Sequence, residues 1–184
     1  MKSRRGFTLL ELMVVVTILA VLGTIAVVSY KYYIRRARLT EGKELLMDVK
    51  MKQEQYFSTY SQYVSSGASD AEDWFPTTAD PAEPLKWLWS FNCATVGEGD
   101  PARGWCDLGF KPSNSSWFQL FTVGWRSQSP PNPSASQFGF PKELNTGKRW
   151  FYGAARARFD NEQEYIYVMT SQSSEIVEIV NKLK

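Results

Sequence analysis

The chain has 184 residues with 21 Lys and Arg, 19 Asp and Glu, and no His. Without an imidazole it lacks the commonest general base and zinc ligand, and two Cys cannot fill a four-ligand zinc site, so no catalytic residue, metal ligand or cofactor is assigned. Lys2, Arg4 and Arg5 account for the positive surplus: a product starting at Phe7 falls from +2 to −1, which weakens any electrostatic case for nucleic acid.

Residues 9–28 carry one charge, Glu11, and no Pro, whereas all seven Trp and all nine Pro lie beyond residue 73. Two physically different objects therefore share the chain. The 20 residues of 9–28 rise about 30 Å as a helix, the thickness of a bilayer's hydrocarbon core. In lipid a helix satisfies its own backbone, so that conformation is close to obligatory; a buried soluble helix is the competing reading. The basic segment 2–6 abuts the apolar run, and the small residue suited to cleavage, Gly6, precedes the run instead of following it as in an ordinary secretory signal. Cutting there discards the charges and keeps the anchor. Glu11 stands out because an ionisable side chain in such a span costs on the order of a few kcal/mol and marks function by default. Support of the helix dipole near the headgroups is the plainer reading.

The run Arg5-Gly6-Phe7-Thr8-Leu9-Leu10-Glu11-Leu12 resembles the class III signal of type IV prepilins and type II secretion pseudopilins. The resemblance implies that a prepilin peptidase cuts between Gly6 and Phe7 and methylates Phe7. It implies that Phe7 and Glu11 serve assembly, the carboxylate of one subunit meeting the N-terminal amine of its neighbour in low dielectric. The implied partners are identical or related pilin subunits, an inner-membrane assembly platform, and the lipid bilayer before assembly. The implied location is a bacterial inner membrane, crossed once with a cytoplasmic N-terminus and a periplasmic head, and then an extracellular filament. Related major pilins usually carry Pro where this chain has Val28, so a straighter helix is expected, with Gly23 its weak point.

Tyr30, Tyr32 and Tyr33 with Lys31, Arg35, Arg36 and Arg38 follow the apolar run and read as an interfacial belt against headgroups. Beyond them Leu39, Leu45, Leu46, Val49, Gln53, Tyr56, Phe57 and Tyr60 recur at helical spacing and predict continuation to about Tyr63. A helix over 7–63 is about 85 Å long. Residues 65–84 are rich in turn formers and read as a connecting loop. Strands are predicted over 85–91, 105–110, 117–125, 149–159 and 163–170, with a turn at 160–162. A last strand is expected over 175–180, a short helix being the alternative. Alternation within 118–123 and 164–169 predicts a sheet with one buried face.

The expected fold is thus α+β and pilin-like, a long N-terminal helix whose outer half packs on an antiparallel β-sheet head. The expected organisation is a leader over 1–6, a transmembrane and assembly helix over 7–30, its amphipathic continuation over 31–63 and a globular head over 64–184. Cys93 and Cys106 are expected to form a disulfide in an exported, oxidising setting, where closing such a loop is worth about 3 kcal/mol; two reduced buried thiols are the alternative.

The functional expectation is a structural subunit, major or minor pilin, of a type IV pilus for adhesion, motility or DNA uptake. A pseudopilin of type II secretion is the alternative within the class, and Asp160, Asn161, Glu162 and Glu164 are a faint counterpart of the calcium loop of such heads. An alternative of another class is a tip adhesin that stacks glycan or nucleic acid on Trp74, Trp87 or Trp89. No nucleophile elbow, phosphate-binding Gly loop or distinctive carboxylate pair supports an enzyme.

Overall fold

A computed structural model describes residues 8–67, 73–77, 86–112, 115–126, 147–159, 163–173 and 175–182. The chain divides into two compact units, 1–38 and 39–184. Helix α1 (Leu9–Tyr60) contributes to both. Within the first unit it runs unbroken through Gly23 and Val28, as expected of a sequence with no Pro to remove a backbone donor.

In the second unit α1 turns one face inward. Gly42, Leu46, Val49 and Gln53 are its buried residues, spaced four, three and four apart, so they stack on one stripe. A Cβ at Gly42 would come within 2.5 Å of the Phe118 ring; the missing side chain is what lets the helix settle against that ring. Leu46 and Val49 are fully buried among Phe118, Leu120, Phe151, Tyr167 and Met169.

Those partners belong to a four-stranded antiparallel sheet of β1 (Gln119–Gly124), β2 (Phe151–Arg158), β3 (Gln163–Thr170) and β4 (Val177–Lys182), ordered as in the sequence. Its register pairs Phe121 with Ala154, Ala154 with Val168, and Val168 with Val177. Leu120, Phe151, Ala155, Tyr167 and Met169 face the helix. The alternate residues Phe121, Val123, Tyr152, Ala154, Ile166 and Val168 form a second buried cluster with Trp150. The sheet is therefore buried on both faces through β1–β3, not on one as the alternation predicts.

Ser61, at φ 55°, ends α1 in the left-handed region, and its N–H donates to the Phe57 carbonyl at 2.8 Å. The helix stops at Tyr60 rather than Tyr63 because the next residues are needed elsewhere. Tyr63 N–H donates to the Trp125 carbonyl at 3.0 Å and Ser66 N–H to the Thr122 carbonyl at 2.8 Å. Ser66 Oγ accepts from Thr122 N–H at 2.9 Å and Ser65 Oγ from Gly124 N–H at 3.1 Å. Phe75 and Leu120 exchange N–H···O bonds of 2.8 Å. Together these satisfy the outer edge of β1. Gln53 ties the helix to this edge: its buried amide donates to the Val64 carbonyl at 2.6 Å and to Thr122 Oγ1 at 3.0 Å, and accepts from Val64 N–H at 3.0 Å.

Two predicted strands are absent. Residues 105–110 lie instead in helix α2 (Arg103–Leu108) and its cap. Gly109, at φ 62°, closes α2 with its N–H on the Cys106 carbonyl and Phe110 N–H on that of Trp105, both at 3.0 Å, a Schellman arrangement. Trp105 and Leu108, three apart, share the buried face, and a Cβ at Gly104 would collide with the Ser65 backbone. Of 85–91, the described residues make only an isolated bridge, Trp87 with Ser116. Trp89 is buried and Leu88 exposed, the alternation of an extended segment, but beyond that bridge no ladder pairs it among the described residues. The expected turn at 160–162 lies outside the described residues.

Gln53→Ala leaves Val64 N–H, its carbonyl and the Thr122 hydroxyl short of a partner, and is expected to cost about 3 kcal/mol, measured by urea unfolding with Trp fluorescence on the detergent-solubilised chain. Burial, and then the Glu54 carboxylate 3.3 Å away, push the Tyr63 hydroxyl up to about 12 against the opposing pull of Arg149. Above the ordinary value of 10.0 the unfolded chain loses a proton that the folded chain keeps, so stability falls as pH rises from about 10 to about 12. Tyr63→Phe should flatten that part of the slope in unfolding titrations.

Candidate functional site

The N-terminal end of α1 is built from Thr8 and Glu11. Glu11 Oε2 accepts from Thr8 N–H at 2.9 Å and from Thr8 Oγ1–H at 2.8 Å, while Glu11 N–H reaches back to Thr8 Oγ1 at 3.3 Å. This reciprocal pair is a capping box, which satisfies donors that the first turn leaves open. Its sequence signal, Thr followed three residues later by Glu before an apolar run, is plain in Thr8-Leu9-Leu10-Glu11. Only Oε2 is engaged; Oε1 has no hydrogen-bond partner among the described residues. Gly6 and Phe7, the expected processing residues, lie outside them.

From Leu9 to Val28 every large apolar side chain of α1 is exposed, none less than 45%. The exposed apolar surface encircles the helix, with no polar face to turn to water. Its two threonines bond inward: Thr17 Oγ1 donates to the Val14 carbonyl at 2.8 Å and Thr24 Oγ1 to that of Val21 at 2.7 Å. Glu11 is thus the one ionisable group on a surface suited to hydrocarbon or to other apolar helices. The segment is long and apolar enough to cross a membrane.

Cys93 and Cys106 are bonded, with Cα atoms 5.5 Å apart. The bond fastens α2 to the turn at 92–95, where Asn92 Oδ1 accepts from Ala94 N–H at 3.1 Å and the Asn92 carbonyl from Thr95 N–H at 3.0 Å.

Of the three expected stacking residues, Trp74 and Trp87 are half-buried and Trp89 is buried. Trp89 is 3% exposed and packs edge-on against Phe75 and Trp105 at 5.0 and 5.2 Å. Trp74 lies against Phe121 in the second cluster, with the Arg156 guanidinium 4.5 Å from its ring centre. No group of three or more potential metal ligands occurs among the described residues. A surface groove of about 370 Å³ lies beside Tyr56, Tyr63, Glu98, Arg103, Asp107 and Arg126. Arg103 and Asp107 in it are already paired at 3.1 Å, and its lining Ser65 is held by Gly124 N–H.

Residues 1–27 match the family described as "Prokaryotic N-terminal methylation motif" and residues 28–84 the family described as "Type IV minor pilin ComP, DNA uptake sequence receptor". Prepilin peptidase-dependent protein D of Escherichia coli (strain K12) is 51% identical over 41 residues, 22% of this chain and 28% of the relative. A probable minor fimbrial protein of Dichelobacter nodosus is 33% identical over 72 residues, 39% of this chain and 45% of the relative. A type IV major fimbrial protein FimA of the same organism is 35% identical over 79 residues, 42% of this chain and 45% of the relative. The chain spans less than half the length of the curated relatives it matches. No solved structure matches it. Over residues 1–84 the chain is therefore pilin-like in sequence, while α2 and all four strands lie beyond both family matches.

Proposed function

We propose that the chain is a structural subunit of a type IV pilus, made as a precursor, cut between Gly6 and Phe7, methylated at Phe7, and polymerised through α1. The observation that carries this reading is the N-terminal methylation motif set on a helix that is apolar all round and holds one carboxylate, Glu11, at its capped first turn. The proposed organisation is a leader over 1–6, an anchoring and assembly segment over 7–30, its continuation against the head, and a head over 64–184. Before assembly the segment lies in the inner membrane with the head on the periplasmic side; afterwards the same apolar surface is covered by neighbouring copies. The fimbrial relatives favour a pilus over a secretion pseudopilus.

Cutting after Gly6 places a new α-amino group one residue before the Thr8–Glu11 box. The second carboxylate oxygen of Glu11 supplies an acceptor for the amine of an adjacent subunit, and in a low-dielectric surround that attraction is strong and sensitive to register. The role is mechanical and uses no bound cofactor.

A second reading is favoured by one observation: the family matched over 28–84 is described as a DNA uptake sequence receptor. Cations of the head sit beside aromatic rings, Lys86 over Trp117 at 5.5 Å and Arg156 over Trp74 at 4.5 Å. A DNA-binding minor pilin predicts duplex binding that weakens steeply between low and moderate salt. Anisotropy of labelled duplexes decides: no binding at low salt removes this reading.

For the main reading, Glu11→Gln keeps a capping partner but removes the charge, whereas Glu11→Ala removes both. Both variants should insert and be processed yet yield few sheared filaments; a normal yield from Glu11→Gln would assign Glu11 to the cap alone. Gly6→Val should leave uncut precursor in the membrane fraction, and a mature chain starting at Phe7 in that variant would refute the cleavage site.

A further inference from the structure

Immediately after the apolar run the sequence reads Ser29-Tyr-Lys-Tyr-Tyr-Ile-Arg-Arg-Ala-Arg38. Four cations fall within the eight residues 31–38, and no acidic residue occurs between Glu11 and Glu41. Tyr30, Tyr32 and Tyr33 are 66%, 66% and 69% exposed. At about 100° per residue these seven side chains are distributed around the whole helix, leaving no gap wider than about 80°. Their axial spread is about 12 Å. The tyrosines come first and three arginines follow within the next turn or so, the order in which a helix leaving hydrocarbon meets the carbonyl layer and then the phosphates.

A contact with one protein partner uses one face of a helix. A girdle of amphipathic rings and cations on every side suits a surrounding that is the same in all directions, namely a headgroup layer. Its charge also needs a reason. Basic residues flanking a span are favoured on the cytoplasmic side, and in the proposed topology these four lie on the opposite side, against that preference.

We propose that residues 30–38 bind anionic phospholipid headgroups of the outer leaflet, forming an electrostatic latch that holds the unassembled subunit at fixed depth and is released as the subunit is drawn into a filament. This rests on the membrane-anchored reading above. Lys31 supplies a point charge, and Arg35, Arg36 and Arg38, which also make contacts within the chain, supply permanently charged guanidinium groups matched to phosphate oxygens. The helix-borne Glu41 and Glu44 beyond the girdle limit its charge to this band.

The full chain is reconstituted in phosphatidylcholine vesicles containing phosphatidylglycerol, and the motionally restricted fraction of spin-labelled phosphatidylglycerol is compared with that of spin-labelled phosphatidylcholine. The proposal expects the anionic lipid to be preferred on the order of fivefold at low salt, the preference shrinking in high salt. A Lys31→Gln, Arg35→Gln, Arg36→Gln, Arg38→Gln variant should fall to parity, while Arg35→Lys, Arg36→Lys, Arg38→Lys should keep the preference because charge is retained. Parity in the unaltered chain, or an undiminished preference in the glutamine variant, overturns the latch. Parity combined with lost filaments in the glutamine variant also overturns it and assigns the cluster to a contact between subunits. A chain that fails to float with either vesicle sinks the membrane reading itself, a result separate from lipid parity.

Discussion

The buried amide of Gln53 holds the point at which helix becomes sheet. It stands on the inward stripe of α1 and engages both backbone groups of Val64 and the hydroxyl of Thr122. Through it the segment 63–67, which pairs with the outer edge of β1 by its own hydrogen bonds, is also held against the helix. A polar side chain buried without partners is costly, and one buried with all of them positions its surroundings. The close approach at Gly42 and the apolar contacts of Leu46 and Val49 then set the helix on the sheet, with Gln53 fixing where along β1 the following chain runs.

At the other end of α1 the polar problem is opposite in kind. Glu11 sits on a surface with no other ionisable group, yet its carboxylate is not idle: the Thr8 cap uses one oxygen. Capping and intersubunit pairing are compatible because a carboxylate has two oxygens and about four acceptor sites. The cap holds the side chain in one place, so less ordering entropy remains to be lost when a second charge arrives.

Much of this was legible in the residues. The apolar run, its helical continuation through Leu46, Val49 and Gln53, and β3 at Gln163–Thr170 follow from periodicity alone. The α2 region was misread because Trp105, Cys106, Leu108 and Phe110 have the aromatic and apolar character of a strand. The competing signal was Gly109, whose left-handed conformation stops a helix. Burial of both sheet faces was not legible either. Alternation reports a contrast between faces, and in β1–β3 the second face carries Phe121, Tyr152, Ala154, Ile166 and Val168, which are no more polar than the first. The Thr8–Glu11 box is legible as a spacing, but a lone carboxylate at the head of an apolar run carries two signals at once, a cap and a charge within an apolar span.

The strands pair in the order in which they are written, each hydrogen-bonded to its predecessor. The segment that covers the free side of β1 also precedes it in the chain. A polypeptide delivered from its N-terminus therefore presents every strand to a partner that has already arrived, and pairing advances by local steps with modest loop-closure cost. Among the described residues, β4 is the strand whose outer side has no paired segment. Vectorial synthesis and the architecture of the head run in the same direction, so at each stage of emergence the unpaired backbone is confined to the newest strand.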